Sequence, residues 1–448
     1  MSGQIFSTLE SIDTQTGLEI DPRLQPWFPD QVATSTSEHT ETDLQAVPVE
    51  YGERKLFGLR KKVFICIIII ALLLISCAII GGAIGGTLSK RNSQKASTST
   101  NETTSASSPS IPTPTSNYDR LLQNSSISSL NWTDGTYQHY AVFYQKSSDH
   151  ISASVWDEYN RTWSTSDISG FNLPAPNSGT SIASSVRSTP ATKYFQLNVY
   201  FYTADTKVVE LYTQSQQALT GSWNNGQLTS TPFVGLPDSH LAAYWDNCDF
   251  QPCHSSPIVL YQSFDENLRS TNSSQGWSKD ESQIIERNIV APKTSVALMP
   301  WPKNKEFKAY VRVKSSNQVQ EYTNKYENNI NISNWGLQSG FGTPADGSVL
   351  PNPSKIAAIP LTAITGGMEI YVVSLNTDQQ LQSMRNIGSK WPGRNLPNLS
   401  QTVGNFTDIA MNHDRRFYGI SDGKIHEYMI TENPDLWNYL GVVNTTRT

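Results

Sequence analysis

The sequence predicts an all-β fold, a six-bladed β-propeller over residues 120–448, preceded by a disordered tail, one transmembrane α-helix and a Ser/Thr/Pro-rich stalk. Three observations carry that expectation. A small or polar residue, an apolar one and then Ala or Ser recur six times, at Ser126-Ile127-Ser128, Ser181-Ile182-Ala183, His240-Leu241-Ala242, Ser295-Val296-Ala297, Lys355-Ile356-Ala357 and Asp408-Ile409-Ala410, at intervals of 53 to 60 residues. Each unit closes on a tryptophan: Trp163, Trp223, Trp277, Trp335, Trp391 and Trp437. Ahead of the repeats, residues 63–88 carry no charged side chain.

Residues 1–62 form the tail. Ten acids and six bases fall within it, with Ser, Thr and Pro throughout and no apolar period of 2 or 3.6, a composition that cannot bury a core. Its one apolar island, Pro26-Trp27-Phe28-Pro29, is a docking motif for a cytosolic partner or simply an isolated cluster.

Residues 63–88 exceed the roughly 20 apolar residues that span a bilayer, and they begin too late to be a cleaved signal peptide. Arg54, Lys55, Arg60, Lys61 and Lys62 precede the run and Lys90, Arg91 and Lys95 follow it, so the basic excess places the N-terminus in the cytosol. All nine N-glycosylation sequons follow the run, at Asn101, Asn124, Asn131, Asn160, Asn272, Asn331, Asn398, Asn405 and Asn444, which fits an extracellular or luminal C-terminal domain. Gly81, Gly82, Gly85 and Gly86 set two Gly-xxx-Gly spacings, either the face of a homodimer through the helix or its loose end. Residues 89–119, rich in Ser, Thr and Pro, read as the stalk.

Cys66 and Cys77 lie inside the membrane run, whereas Cys248 and Cys253 bracket a short loop and read as a local disulfide in an oxidising compartment. His254 and Asp249 stand beside that pair, but no second ligand pair follows at zinc spacing, so neither a metal nor another cofactor is expected. The formal charge of -6, concentrated toward the tail, gives no basic surface for nucleic acid.

Within each repeat a β-rich run ends in aromatics about 15 residues in, as at Val142-Phe143-Tyr144, Val199-Tyr200-Phe201 and Phe417-Tyr418, and a third strand follows a polar turn, as at Ile425-His426-Glu427-Tyr428. Six such units cannot each bury a core alone, so they are expected to pack radially as blades.

This pattern, with Arg416-Phe417-Tyr418, Asp422-Gly423-Lys424-Ile425-His426-Glu427-Tyr428 and Val142-Phe143-Tyr144-Gln145 with Trp163-Ser164, resembles the fungal fucose-specific lectins from about Asn124 to Thr448. The resemblance implies sugar sites between adjacent blades. In each, an Arg ahead of the second strand and a Glu on the third bond the sugar hydroxyls, while the closing Trp of the next blade stacks on the sugar's apolar face. Carried over, it implies a complete site of Arg416, Glu427 and Trp163, and two altered ones, Asn198, Glu210 and Trp277, and Lys308, Glu321 and Trp391. A lysine lacks the planar fork that bonds two hydroxyls together. The remaining Arg positions hold Ala141, Ile258 and Glu369, opposite Ala153, Ser270 and about Ser383, which implies lost sites.

The expected function is therefore membrane-anchored recognition of fucosylated glycans or glycoproteins. The alternatives are an adhesion or scaffold module with degenerate sites and a propeller hydrolase. Against catalysis, the repeats contain no Asp-x-Asp metal motif, no sialidase-type Asp box and no Gly-x-Ser-x-Gly elbow, although Asp246, Asp249, Glu321 and Glu369 are available as acids.

Overall fold

The computed structural model describes residues 120–446 except 171, 190–193, 215–221, 248–254, 278–281, 303–305, 326–334, 338–349, 351–352, 363–367, 388–390 and 392. The predicted tail, membrane helix and stalk, the Cys248–Cys253 pair, Asn101 and Asn331 lie outside these residues. Among the described residues no helix is long and apolar enough to cross a membrane.

Six antiparallel sheets follow one another along the chain, spanning Ile127–Asp167, Ile182–Asn225, Leu241–Ile285, Val296–Leu337, Pro353–Asn395 and Asp408–Val442. Each is a meander of four strands in sequence order, and the sixth gains a short parallel strand, Asn398–Leu399, on its outer edge. The innermost strand of every sheet touches those of its two neighbours, the first and the sixth included, which closes the ring of a six-bladed propeller.

The repeat explains the architecture. Apolar residues on both faces of the second strands, such as Ala141 to Tyr144 and Leu197 to Phe201, are buried almost completely, because each blade is covered on two sides. Six apolar clusters result, one per junction. In each, the closing tryptophan packs against the preceding blade: Trp223 against blade one, Trp277 against two, Trp335 against three, Trp391 against four, Trp437 against five and Trp163 against six. An indole is wide enough to fill the wedge between two diverging sheets, and its burial is worth roughly 3 kcal/mol.

Turn chemistry fixes the register. In blades one to five the second hairpin ends on a left-handed residue, Asp149, Thr206, Glu266, Asn317 or Gln379. Blade six instead uses Asp422-Gly423, both with positive φ, as a two-residue turn between the paired residues Ser421 and Lys424. Arg416 then pairs with Met429, and Tyr418 with Glu427.

The last residues seal the ring. Ser154 Oγ and Thr165 Oγ1 of blade one donate to Asn444 O at 2.5 and 2.8 Å, and Val443 is buried between blades six and one.

Candidate functional site

Arg416 opens the second strand of blade six, where its backbone N–H donates to Asn412 Oδ1 at 3.2 Å. Its Nη1 donates to Glu427 Oε1 at 3.1 Å, and the Tyr418 hydroxyl donates to the same oxygen at 3.1 Å. Because Arg416, Tyr418 and Glu427 alternate on one face of the hairpin, all three turn toward blade one. A bulge in the outer strand lies opposite Glu427: Gly441 pairs with it and Tyr439 with Tyr428, so Leu440 is left over. Gly441 takes φ 144°, a conformation that a side chain would strain.

Blade one supplies the opposite wall. The Trp163 ring stands edge-on to Tyr418 with centroids 6.3 Å apart, and the Arg416 Cζ lies 4.7 Å from the centre of the Tyr140 ring. The Tyr140 hydroxyl donates to Asp414. Burial, and then the Asp414 carboxylate, push the Tyr140 hydroxyl up to about 12. Burial also raises the Glu427 pKa, against the opposing pull of Arg416 and Tyr418. The Arg416 and Glu427 side chains retain 16% and 9% exposure, so the pair is sheltered and still reachable. Arg416 Nε is a buried donor with no partner among the described residues.

The structure thus joins Arg416 to Glu427 and brings Trp163 to the same junction through Tyr418, while Tyr140, Asp414 and Tyr418 are neighbours that the sequence pattern does not assign to the site. Tyr418 had a readable signal. A tyrosine stands two residues after the Arg position in each blade that keeps the Glu, and its hydroxyl bonds that Glu: Tyr200 to Glu210 at 3.4 Å, Tyr310 to Glu321 at 2.7 Å and Tyr418 to Glu427. Register places Phe143, Leu260 and Val373 there in the blades that lack the Glu. Tyr140 and Asp414 belong to other strands and loops, so no local pattern pointed to them.

Between blades two and three, Asn198, Glu210 and Trp277 line one cavity of about 280 Å³, together with Gln196 and Trp245. Asn198 Nδ2 donates to Glu210 Oε1 at 2.5 Å and Leu228 N–H to Oε2 at 3.2 Å, while burial raises the Glu210 pKa. The carboxylate sits over Gly226, where a Cβ would come within 2.1 Å of Oε2. Only glycine allows that approach.

Between blades four and five the ions are closed on each other. Lys308 Nζ meets Glu321 Oε1 at 2.5 Å and Glu306 Oε2 at 3.6 Å, with side-chain exposures of 6% for Lys308 and 3% for Glu321. Trp391 is buried in the same junction. The structure brings Lys308 and Glu321 into direct contact and puts Trp391 in the apolar cluster of the same junction.

Register corrects one lost site. Ala357 pairs with Val373 as Ala410 pairs with Tyr418, so Tyr371, two residues before Val373, occupies the Arg position of blade five, not Glu369. Tyr371 donates to Pro434 O at 2.9 Å and packs edge-on to Trp437, filling that junction with rings. Glu369 lies farther along the strand and faces Arg385 at 3.6 Å. Ala141 and Ile258 occupy the Arg positions of their blades, two residues before Phe143 and Leu260, which pair with Ala153 and Ser270 at the Glu positions. The described acids raised for hydrolysis are thus occupied or buried: Glu321 by Lys308, Glu369 by Arg385, and Asp246 at 2% exposure.

One glycan position is corrected. Asn272 is wholly buried where the third strand of blade three ends, so a sugar tree there is incompatible with the folded blade. Asn124, Asn160, Asn398 and Asn405 are exposed, and Asn131 and Asn444 are half-buried.

No family model matches the sequence, and no curated protein matches it. By shape the chain is similar to a lectin of Aleuria aurantia solved with alpha-methyl-L-fucoside, at 16% identity and TM-score 0.55 over 74% of this chain and 98% of that one. A second structure of the Aleuria aurantia lectin, described as a six-bladed β-propeller with a novel fucose recognition mode, gives 16% identity and TM-score 0.55 over 74% and 99%. AofleA of Arthrobotrys oligospora gives 15% identity and TM-score 0.55 over 73% and 89%. What is shared at these identities is the six-bladed fold.

Proposed function

We propose that the chain is a membrane-anchored carbohydrate-binding protein that recognises L-fucose-containing glycans at the junction of blades six and one. The observation that carries this reading is the Arg416–Glu427 pair, held by Tyr418 and faced by Trp163 across the junction. Arg416 offers aligned donors to neighbouring hydroxyls. The named bonds to Glu427 fall on Oε1, which leaves Oε2 to accept from a sugar hydroxyl. Trp163 provides an apolar face for the C–H patch and methyl group of a 6-deoxy sugar. Support comes also from the fucoside in the Aleuria aurantia lectin of the same fold.

The cavity of Asn198 and Glu210 is a weaker second site in this reading, and the Lys308–Glu321 junction weaker still, because its cation is already neutralised. Residues 63–88 anchor the domain with the N-terminus in the cytosol, and a helix-mediated homodimer would double the sites per unit. Anchoring raises the effective concentration of weak sites against a multivalent glycan surface. The test is a glycan array probed with the full-length chain: fucosylated glycans are retained, and Arg416→Ala removes most of the signal. A flat array favours the scaffold reading.

A further inference from the structure

The innermost strands enclose a cavity of about 180 Å³ on the propeller axis, to which all six blades contribute. It shares Trp245 with the cavity between blades two and three but reaches none of Arg416, Glu427 and Trp163, and its walls differ in character. Leu298, Ala358 and Met411, from blades four, five and six, make an apolar side. Ser129, Trp245 and Asn412, from blades one, three and six, make a polar side. Those three each hold a buried donor without a partner among the described residues: Ser129 Oγ, Trp245 Nε1 and Asn412 Nδ2. Trp245 and Asn412 are 5% and 2% exposed, so their donors do not find bulk water.

Unpaired buried donors are costly, about 1–3 kcal/mol each, so an acceptor brought to them is favoured. Two rings from opposite blades, Tyr244 of blade three and His413 of blade six, meet in this space, stacked at 5.3 Å and 15°. No carboxylate, lysine or arginine lines the cavity.

We propose that this axial cavity is a further binding site, distinct from the Arg416 junction, for a neutral polyhydroxylated molecule the size of one pyranose ring. Neutrality follows from the uncharged walls, since an ion there would lose hydration without a counter-charge. A ring with one hydroxylated edge and one C–H face matches the polar and apolar sides, and its oxygens accept from Ser129, Trp245 and Asn412.

Saturation-transfer NMR on the full-length chain tests this, with the methyl β-glycoside of N-acetylglucosamine as probe and methyl α-L-fucoside in saturating amount. The expected result is a probe signal that persists in Arg416→Ala and disappears in Ala358→Phe, which fills the apolar side. Ser129→Ala, a change small enough to leave the blade folded, is expected to weaken probe binding roughly threefold to tenfold by removing one hydrogen bond. A wild-type chain that gives no probe signal overturns the proposal, as does a signal that Ala358→Phe and Ser129→Ala leave intact. Loss of fucoside binding in Arg416→Ala with the probe signal retained separates the two sites, so failure of either reading is seen independently.

Discussion

The guanidinium carbon of Arg416 lies 4.7 Å from the centre of the Tyr140 ring, across the junction that closes the propeller. Glu427 holds one end of the guanidinium, and Tyr140, tied to Asp414, forms the surface on which it rests. The key cation of one blade is therefore placed by the next.

Tyr140 accordingly positions Arg416. Tyr140→Leu removes the ring face and the bond to Asp414, a loss of about 1 kcal/mol or more in holding the cation, and fucoside affinity should fall roughly fivefold to tenfold. Tyr140→Phe keeps the ring and should lose less. Isothermal titration of both variants against methyl α-L-fucoside decides the order.

Asn198→Arg should strengthen the site between blades two and three. Glu210 and Trp277 already line an open cavity, Tyr200 holds Glu210 from behind, and only the donor fork is missing. Titration should give an added or tighter fucoside site, about tenfold in affinity for one charge-assisted hydrogen bond. Unchanged stoichiometry and affinity would show that the cavity has another use.

Lys308 and Glu321 contribute to stability first and to sugar binding only weakly in this account. Lys308→Met strands the Glu321 carboxylate in a buried junction and should cost about 3–5 kcal/mol in urea denaturation, whereas Lys308→Met with Glu321→Leu should recover much of the loss. The reverse order would refute a structural role for the pair.

The raised pKa of Glu427 sets a pH dependence. In the folded chain this carboxyl holds its proton more tightly than in the unfolded one, so its contribution to stability is present at low pH and lost as pH rises through the folded value. Binding has the opposite sign, because the ionised form accepts from the sugar. Fucoside affinity should fall on acidification at a pH above the ordinary Glu range, and Glu427→Gln, weaker throughout, should lose that step. An affinity flat from pH 7 to 4 would exclude an ionised Glu427 from recognition.

Much of this was legible in the sequence for physical reasons. The blades could be counted because each needs one apolar inner strand and one closing indole, and Arg416 and Glu427 were marked by the repeat pattern, which the two-residue turn at Asp422-Gly423 places on one face. What sequence hid depends on register and burial. Glu369 looked like a replacement for arginine because it precedes Ile370-Tyr371-Val372, yet the innermost strand of blade five runs from Pro353 to Thr362 and shifts the matching position to Tyr371. The Asn272 sequon is intact, but the fold buries it. Tyr140 reaches Arg416 only because the ring closes, a contact 276 residues apart in the chain.

The central claim is tested most directly by titrating methyl α-L-fucoside into the full-length chain and into Arg416→Ala. The account predicts saturable binding to the wild type and a loss of at least tenfold in the variant, with thermal unfolding unchanged to within a few degrees. Binding that is absent from the wild type, or equal in the two proteins, would contradict it.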